Sequence, residues 1–295
     1  MKVSVIVPTY RRDWELRRAL DSLIKQNFSD FEIIVVDDND DAFWSEKVKA
    51  IISEVGCFAD CGLQYLQNGS RLGSAQSRNE GIRIAQGEYI TFLDDDDEYL
   101  PEKIQRQYEF MVEGRLDYSI TDIDLYFENG RLSERRNRKY IKNMDRVSLL
   151  EYHFMYHMTG TDVIMLKRTY LEQIGGFPPI DVGDEFYLMQ KAVEGGGKFG
   201  YLEVCDVRAY VHTGEGGLSS GEGKIAGEKR IYAHKKKYFQ QLRPKSVRYI
   251  RMRHYAVLAF AEYRMRNYGN FFAYGIVGFF CSPIQCVKLI FDRKK

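Results

Sequence analysis

The sequence predicts an α/β protein whose core is a mostly parallel sheet flanked by helices. Two observations carry this. Over the first hundred residues, short apolar runs alternate with segments of helical spacing, the rhythm of repeated βαβ units. The first, second and fourth of these runs also end in polar, chemistry-bearing residues, and ligands of such sheets sit beyond the strands' carboxyl ends. The 295 residues, 44% hydrophobic and 29% charged, suffice for one large or two modest domains with a packed core.

Val3–Val7 is the first strand, and Met1-Lys2 leads straight into it, so no signal peptide is read there. Trp14–Gln26 has helical spacing, with Leu16, Leu20, Leu23 and Ile24 on one face. Phe31–Val36 is the second strand, Trp44–Val55 a helix and Leu63–Leu66 the third strand. Ser74–Ala85 turns Ala75, Ile82 and Ala85 inward and is stopped by Gly87, and Tyr89–Leu93 is the fourth strand. A helix over Glu102–Val112 is followed by strands at Tyr118–Ile123 and Leu125–Phe127 and a turn at Asn129-Gly130. Asp145–Tyr156 reads as a helix, Asp162–Leu166 as a strand and Asp184–Glu194 as a helix ended by three glycines. Strands Lys198–Val204 and Val207–Val211 lead into the glycine-rich stretch Thr213–Gly223, expected to be a mobile lid.

The net charge of +1 hides an asymmetry. Residues 224–295 carry 17 Lys/Arg against three acids, whereas the remainder carries 26 against 39. An acidic, cation-binding body and a basic tail facing an anionic partner are expected. Lys224–Leu242 and Val247–Tyr268 suit basic amphipathic helices. Phe271–Phe291 is apolar but interrupted by Ser282-Pro283, Gln285 and Lys288, so a helix lying on a bilayer is expected rather than a packed or spanning one. The five cysteines include one close pair, Cys57 and Cys61, without the partners of a zinc site; free thiols are expected.

Three strand ends place candidate functional residues on one rim: Pro8-Thr9-Tyr10-Arg11-Arg12, Asp37-Asp38-Asn39 and the quartet Asp94 to Asp97. Four adjacent carboxylates repel one another unless water, cations or hydrogen-bond donors compensate. Hard divalent ions prefer such oxygen ligands, and Mg²⁺ typically adds substrate phosphates to one or two carboxylates. A solvated turn would explain the quartet alone, but not its company on the rim.

The ordered set VSVIVPTY at 3–10, EIIVVDDN at 32–39, GSAQSRNEGI at 73–82, GEYITFLDDDDEYLPEKI at 87–104 and GGFPPIDVGDEF at 175–186 resembles the family 2 glycosyltransferases of the GT-A fold. The resemblance covers residues 2 to about 215. It implies a nucleotide-diphosphate-sugar donor, a divalent metal (Mn or Mg), usual inversion at the anomeric carbon, and a Rossmann-like sheet followed here by a helical C-terminal extension. Residues 1–100 would bind the donor, 101–223 the acceptor, and 224–295 would form the basic tail.

By the same resemblance Pro8, Thr9 and Tyr10 would line the nucleoside pocket. Asp38 would accept a hydrogen bond from the base, with Asp37 supporting the turn, and Arg78 would approach the phosphates or hold the aspartates. Asp94, Asp95 and Asp96 match the DXD element, with Asp96 and Asp94 on the metal, Asp95 near the ribose and Asp97 orienting the others. Asp184 would be the catalytic base, with Glu185 the alternative, although an aspartate there also suits a helix N-cap. His212 would be a metal ligand or a structural histidine. Arg11, Asn39-Asp40, Gly183 and Phe186 depart from the family pattern, leaving UDP as the default nucleotide and the choice between Asp184 and Glu185 open.

The resulting expectation is metal-dependent transfer of a sugar to a glycan or lipid-linked acceptor in cell-surface polysaccharide synthesis. It would occur in the cytoplasm at the inner membrane face. A sugar-phosphate nucleotidyltransferase is disfavoured because Pro8–Arg12 has no glycine, a dehydrogenase because no GxGxxG follows the first strand, and no GxxxxGK[ST] is present. The non-enzymatic alternative is a membrane- or nucleic-acid-binding protein acting through the basic tail. The acidic body disfavours nucleic acid, and no motif for it is present.

Overall fold

A computed structural model describes residues 1–56, 62–180, 183–211 and 221–292. The chain divides into two compact units: residues 1–149 with 158–212, and residues 150–157 with 213–295.

The first unit begins with β1 (Val3–Thr9), α1 (Trp14–Ile24), β2 (Phe31–Asp37), α2 (Ala42–Gly56), β3 (Gly62–Gln67), α3 (Ser74–Ile84) and β4 (Tyr89–Phe92). It continues through β5 (Glu98–Tyr99), α4 (Lys103–Gly114), β6 (Tyr118–Ile120), β7 (Ile123–Phe127), β8 (Leu132–Arg136) and α5 (Arg146–Tyr156), whose second half belongs to the other unit. After a 3₁₀ turn at Thr161–Val163 come β9 (Ile164–Lys167), α6 (Arg168–Gln173), α7 (Asp184–Glu194), β10 (Phe199–Tyr201) and β11 (Val207–Val211).

The seven-stranded sheet runs β10-β6-β9-β4-β1-β2-β3. Its pairs are parallel except those of β9, which is antiparallel to both β4 and β6. The chain moves outward from β1 to β3, then returns to β4 on the other side of β1. That reversal is the switch point where open sheets bind ligands, and it gathers the ends of β1, β2 and β4 on one rim. A four-stranded sheet, β5-β11-β7-β8, completes the unit.

β1 and β2 are buried along their whole length, as parallel strands covered on both faces must be. Their two polar interior residues are used. Ser4 Oγ donates to Glu32 Oε1 at 2.6 Å, and Glu32 also accepts from the Gln86 amide and Gln64 Nε2. Pro8 is tolerated in this central strand because the β1–β4 ladder has already ended at Ile6↔Phe92. α3 lies tight on the sheet: a Cβ at Gly81 would meet Ile6 Cγ2 at 2.5 Å.

Several expectations need correction. The stretch read as strand from Tyr118 breaks at Thr121-Asp122 into β6 and β7, which join different sheets. Asp162 and Val163 turn as 3₁₀ before β9 begins, and β10 keeps only three of the seven residues expected. β5, β8 and α6 were not expected. The Thr213–Gly223 lid lies outside the described residues except where α8 starts, as do Cys57 and Cys61; Cys205, Cys281 and Cys286 are free.

The second unit holds the end of α5 with α8 (Gly221–Lys236), a 3₁₀ turn at Phe239–Gln241, α9 (Pro244–Arg264), α10 (Tyr268–Cys281) and α11 (Pro283–Asp292). Pro283 splits the apolar tail into two helices because it cannot continue α10. Phe154 packs edge-on against Tyr238 and Tyr156 lies against Tyr249, while Lys235 Nζ donates to the Phe154 carbonyl at 2.8 Å. His254 stacks on Tyr232 with centroids 3.8 Å apart and shares a 2.9 Å hydrogen bond with Glu228.

Gly87 supplies a test of the sheet. Its amide donates to Ser4 Oγ, and a Cβ there would sit 2.5 Å from the Ser4 backbone nitrogen. Gly87→Ala is expected to cost about 1–3 kcal/mol through overpacking, read as a lower urea midpoint with an unchanged slope. A midpoint equal to that of the native chain would show that the β1–β4 edge yields freely.

Candidate functional site

The centre of the rim is an acidic trio. Carboxylate oxygens of Asp94, Asp97 and Asp162 lie within 4.8 Å of one another, Asp97 and Asp162 buried and Asp94 partly so. The Asp94 amide donates to Asp162 Oδ1 at 2.7 Å, and the Tyr210 amide to Asp97 Oδ1 at 2.9 Å. Thr161 Oγ1 donates to Asp94 Oδ2 at 3.3 Å. Burial, and then Asp94, push the Asp162 carboxyl up to about 7. Burial and Asp162 hold Asp97 well above the usual carboxylate range. Beneath the trio the buried Lys103 Nζ donates to Thr91 Oγ1 and Tyr99 Oη, both at 2.7 Å. The Tyr99 hydroxyl serves the carbonyls of Phe92 and Asp162, which ties the strand end to the 3₁₀ turn.

Asp95 and Asp96 face the end of β1 instead. Arg12 Nη2 donates to Asp96 Oδ2 at 2.7 Å, and Arg12 Nε lies 3.5 Å from Asp95 Oδ1. The Tyr10 amide donates to Asp95 Oδ2 at 3.3 Å. Burial and then Asp96 push Asp95 up to about 7. Arg18 donates to the Asp96 carbonyl and stacks 3.7 Å from the Tyr210 ring centroid.

A second wall is built from the ends of β1 and β2 and the loop before α3. Asp37 accepts from the Asn39 amide at 2.9 Å and from Tyr65 Oη at 2.7 Å, so it supports the turn. Asp38 spends its carboxylate on the loop: Oδ1 accepts from Asn68 Nδ2 and the Leu72 amide, and Oδ2 from the Gly73 amide. Gly73 opens α3 with φ +85°, a conformation that side chains rarely adopt. Asn39 Oδ1 accepts from the Arg11 amide, where φ is +53°. Tyr10 follows Thr9, its ring flanked by the Arg71 guanidinium at 4.2 Å and that of Arg11 at 5.1 Å.

Arg78 on α3 joins the rim to α7. Its Nη2 donates to Asp94 Oδ1 at 2.5 Å and its Nη1 to Asp184 Oδ2 at 2.9 Å, with the side chain 6% exposed. Burial opposes its charge, but Asp94 and Asp184 outweigh this and hold the guanidinium firmly protonated. The loop before α7 is fixed on α3: the Phe177 amide and carbonyl bond both ends of the Asn79 amide at 2.9 Å, after Gly175 and Gly176 turn with positive φ. Glu185 follows Asp184 and is partly exposed. Burial, and then Asp184, push its carboxyl up to about 8.

The structure thus brings Thr9, Tyr10, Asp37, Asp38, Arg78, Asp94, Asp95, Asp96, Asp184 and Glu185 to one edge of the sheet, while His212 lies outside the described residues. Sequence reasoning did not single out Asp162 or the clasp by Arg12. Asp162 was legible only through the antiparallel pairing of β9 with β4, whose register sets the second residue before β9 beside Asp94, the second residue after β4. A hard divalent cation fits the trio: all donors are carboxylate oxygens, and burial with the neighbouring carboxylates raises the proton affinity of Asp97 and Asp162, a penalty that a bound cation would relieve.

Arg78→Met should cost about 3–5 kcal/mol, the penalty for stranding buried charges. Chemical denaturation at neutral pH would read it. A loss below about 1 kcal/mol, the range of exposed pairs, would remove Arg78 from its bridging role.

The sequence profile of glycosyl transferase family 2 matches residues 4–175. An uncharacterized glycosyltransferase of Methanocaldococcus jannaschii is 32% identical over 181 residues, 58% of each chain. The GalNAc(5)-diNAcBac-PP-undecaprenol beta-1,3-glucosyltransferase of Campylobacter jejuni is 31% identical over 171 residues, 58% of this chain and 53% of that one. The matches therefore span little more than half the length of these relatives. Among solved structures, S. aureus TarS in complex with UDP-GlcNAc aligns with TM-score 0.63 at 19% identity, over 95% of this chain and 91% of that one. Mannosyltransferase PcManGT from Pyrobaculum calidifontis in complex with GDP-Man and Mn²⁺ aligns with TM-score 0.62 at 18% identity, over 98% and 78%. At that identity the likeness is one of fold. With its profile match covering more than half its length, the chain belongs to glycosyl transferase family 2.

Proposed function

We propose that the protein transfers a sugar, by default from a UDP-sugar, to a hydroxyl of a lipid-linked glycan, with inversion at the anomeric carbon. The observation that carries this is the bridge by Arg78, which joins the acidic trio through Asp94 to the Asp184-Glu185 pair. A leaving-group site and a proton-accepting site are thereby held a fixed distance apart.

The wall of Tyr10, Asn39 and the loop held by Asp38 suits a nucleoside. Asp94, Asp97 and Asp162 would hold Mg²⁺ or Mn²⁺, with Asp96, clasped by Arg12, beside them. The chemistry such a cation supplies is neutralisation of the charge that develops on the departing nucleoside diphosphate. Arg78 keeps Asp94 oriented.

An inverting transfer needs a base on the face of the sugar opposite the leaving group. Asp184 is committed to Arg78, whereas Glu185 has a proton affinity near working pH. We therefore assign Glu185 to accept the acceptor hydroxyl's proton and Asp184 to orient the pair. A lipid-linked acceptor is supported by the Campylobacter jejuni relative, a GalNAc(5)-diNAcBac-PP-undecaprenol beta-1,3-glucosyltransferase.

The test is transfer from UDP-glucose to a polyprenyl-diphosphate glycan with Mn²⁺ or with chelator, the product's anomeric configuration being read by NMR. Turnover without metal, or retention of configuration, would contradict the proposal. Glu185→Gln should lower kcat by about 10²–10⁴ with UDP affinity intact, and native kcat/KM should rise with pH through about 8. A normal Glu185→Gln with a dead Asp184→Asn would reverse the assignment. The linkage is equally specific. A carboxyl raised from 4.5 to about 8 holds its proton more tightly in the folded state, so stability falls across that window as pH rises. Glu185→Gln should therefore outlast the native chain in urea above pH of about 8.

A further inference from the structure

α10 contains no charged residue, yet one side of it is open. Its inner side lies on α9: a Cβ at Gly278 would meet Tyr255 Cβ at 3.3 Å, and Tyr274 stacks on Tyr255. On the outer side Phe272, Ile276 and Phe280 recur every four residues and are 63%, 58% and 77% exposed. Ile284 on α11 extends the stripe at 72% exposure. An almost wholly apolar cleft of about 240 Å³ runs between Phe272, Ile276 and Phe280 and the neighbouring Phe271, Gly275 and Phe279. Monomeric proteins rarely leave so continuous an apolar face in water.

The surroundings of the stripe specify what covers it. Residues 263–291 hold three cations, Arg264, Arg266 and Lys288, and no carboxylate. All three are exposed, two before α10 and one on α11. The last acid before the stripe, Glu262, is buried and accepts from Asn270 Nδ2. Tyr263 and Tyr268, in edge contact, are half-exposed among the arginines, the placement of aromatic residues at a headgroup boundary. Among the described residues no helix is long and apolar enough to cross a membrane. A second copy on this face would bring like charges together at its rim. Lipid phosphates would neutralise them.

We propose that the face formed by α10 and α11 docks onto an anionic phospholipid bilayer, its aromatic stripe lying at headgroup depth and Arg264, Arg266 and Lys288 on lipid phosphates. This face consists of residues of the second unit alone, and the lipid-linked acceptor proposed above only gives it a purpose.

The full chain should co-sediment with vesicles of phosphatidylcholine and phosphatidylglycerol, bind phosphatidylcholine alone far less, and be released by salt. Phe272→Glu combined with Phe280→Glu should weaken binding about tenfold or more with the same urea midpoint, since both side chains are exposed. Arg264→Glu with Arg266→Glu should abolish the preference for phosphatidylglycerol. Transfer to a water-soluble acceptor fragment should be unchanged in all of these, which separates this proposal from the reaction itself. Vesicle binding that survives Phe272→Glu/Phe280→Glu would overturn it. So would a native dimer that those substitutions dissociate and that ignores vesicles, because the face would then join two copies of this chain.

Discussion

Repulsion among carboxylates is the constraint on which the rest of this structure depends. The rim holds Asp94 to Asp97, Asp162, Asp184 and Glu185, and three of these place oxygens within 4.8 Å of one another. Two unit charges about 4 Å apart interact by about 4 kcal/mol at an effective dielectric of about 20, so the trio cannot ionise fully unless positive charge is supplied. The chain supplies part of it. Arg78 offsets Asp94 and Asp184, and Arg12 offsets Asp95 and Asp96. Burial together with the neighbouring carboxylates still raises the proton affinity of Asp97 and Asp162, as it does that of Asp95 and Glu185. A site with this deficit is suited to a cation that arrives with a polyanionic substrate.

The fold delivers the arrangement through strand order rather than through any long loop. Reversal between β1 and β4 opens the crevice, and β9, running against its neighbours, inserts Asp162 beside the end of β4. The paired bonds between Asn79 and Phe177 hold the loop at 175–177 on α3. Lys191 on α7 donates to the carbonyls of Gly175 and Gly176, so the helix that carries Asp184 is tied to the helix that carries Arg78. The position of Arg78 then depends on the seating of α3 against β1, where Gly81 allows the close approach.

The first half of the fold was legible because parallel strands buried on both faces are continuous apolar runs, and because the intervening helices keep a clear inward face. β8 was not: the five exposed residues Leu132–Arg136 carry no alternation, and the strand exists only through its pairing with β7. β5 is two residues long, too short for a period. The site divides in the same way. Asp37, Asp38 and the quartet could be placed because they end strands whose order the βαβ rhythm implies. Asp162 depends on a pairing between segments some seventy residues apart, which no local pattern announces. Neither does Arg12's reach to Asp96, since a residue after a strand has no preferred direction until its turn is built.

The acidic trio is proposed to take up a cation together with a nucleoside diphosphate. Mn²⁺ affinity, followed by electron paramagnetic resonance with and without UDP, tests it most directly, because the two ligands must then strengthen each other reciprocally. The account predicts that UDP tightens Mn²⁺ binding by about tenfold or more, and that Asp97→Asn removes the effect. Equal Mn²⁺ affinity with and without UDP, indifferent to Asp97→Asn, would contradict it.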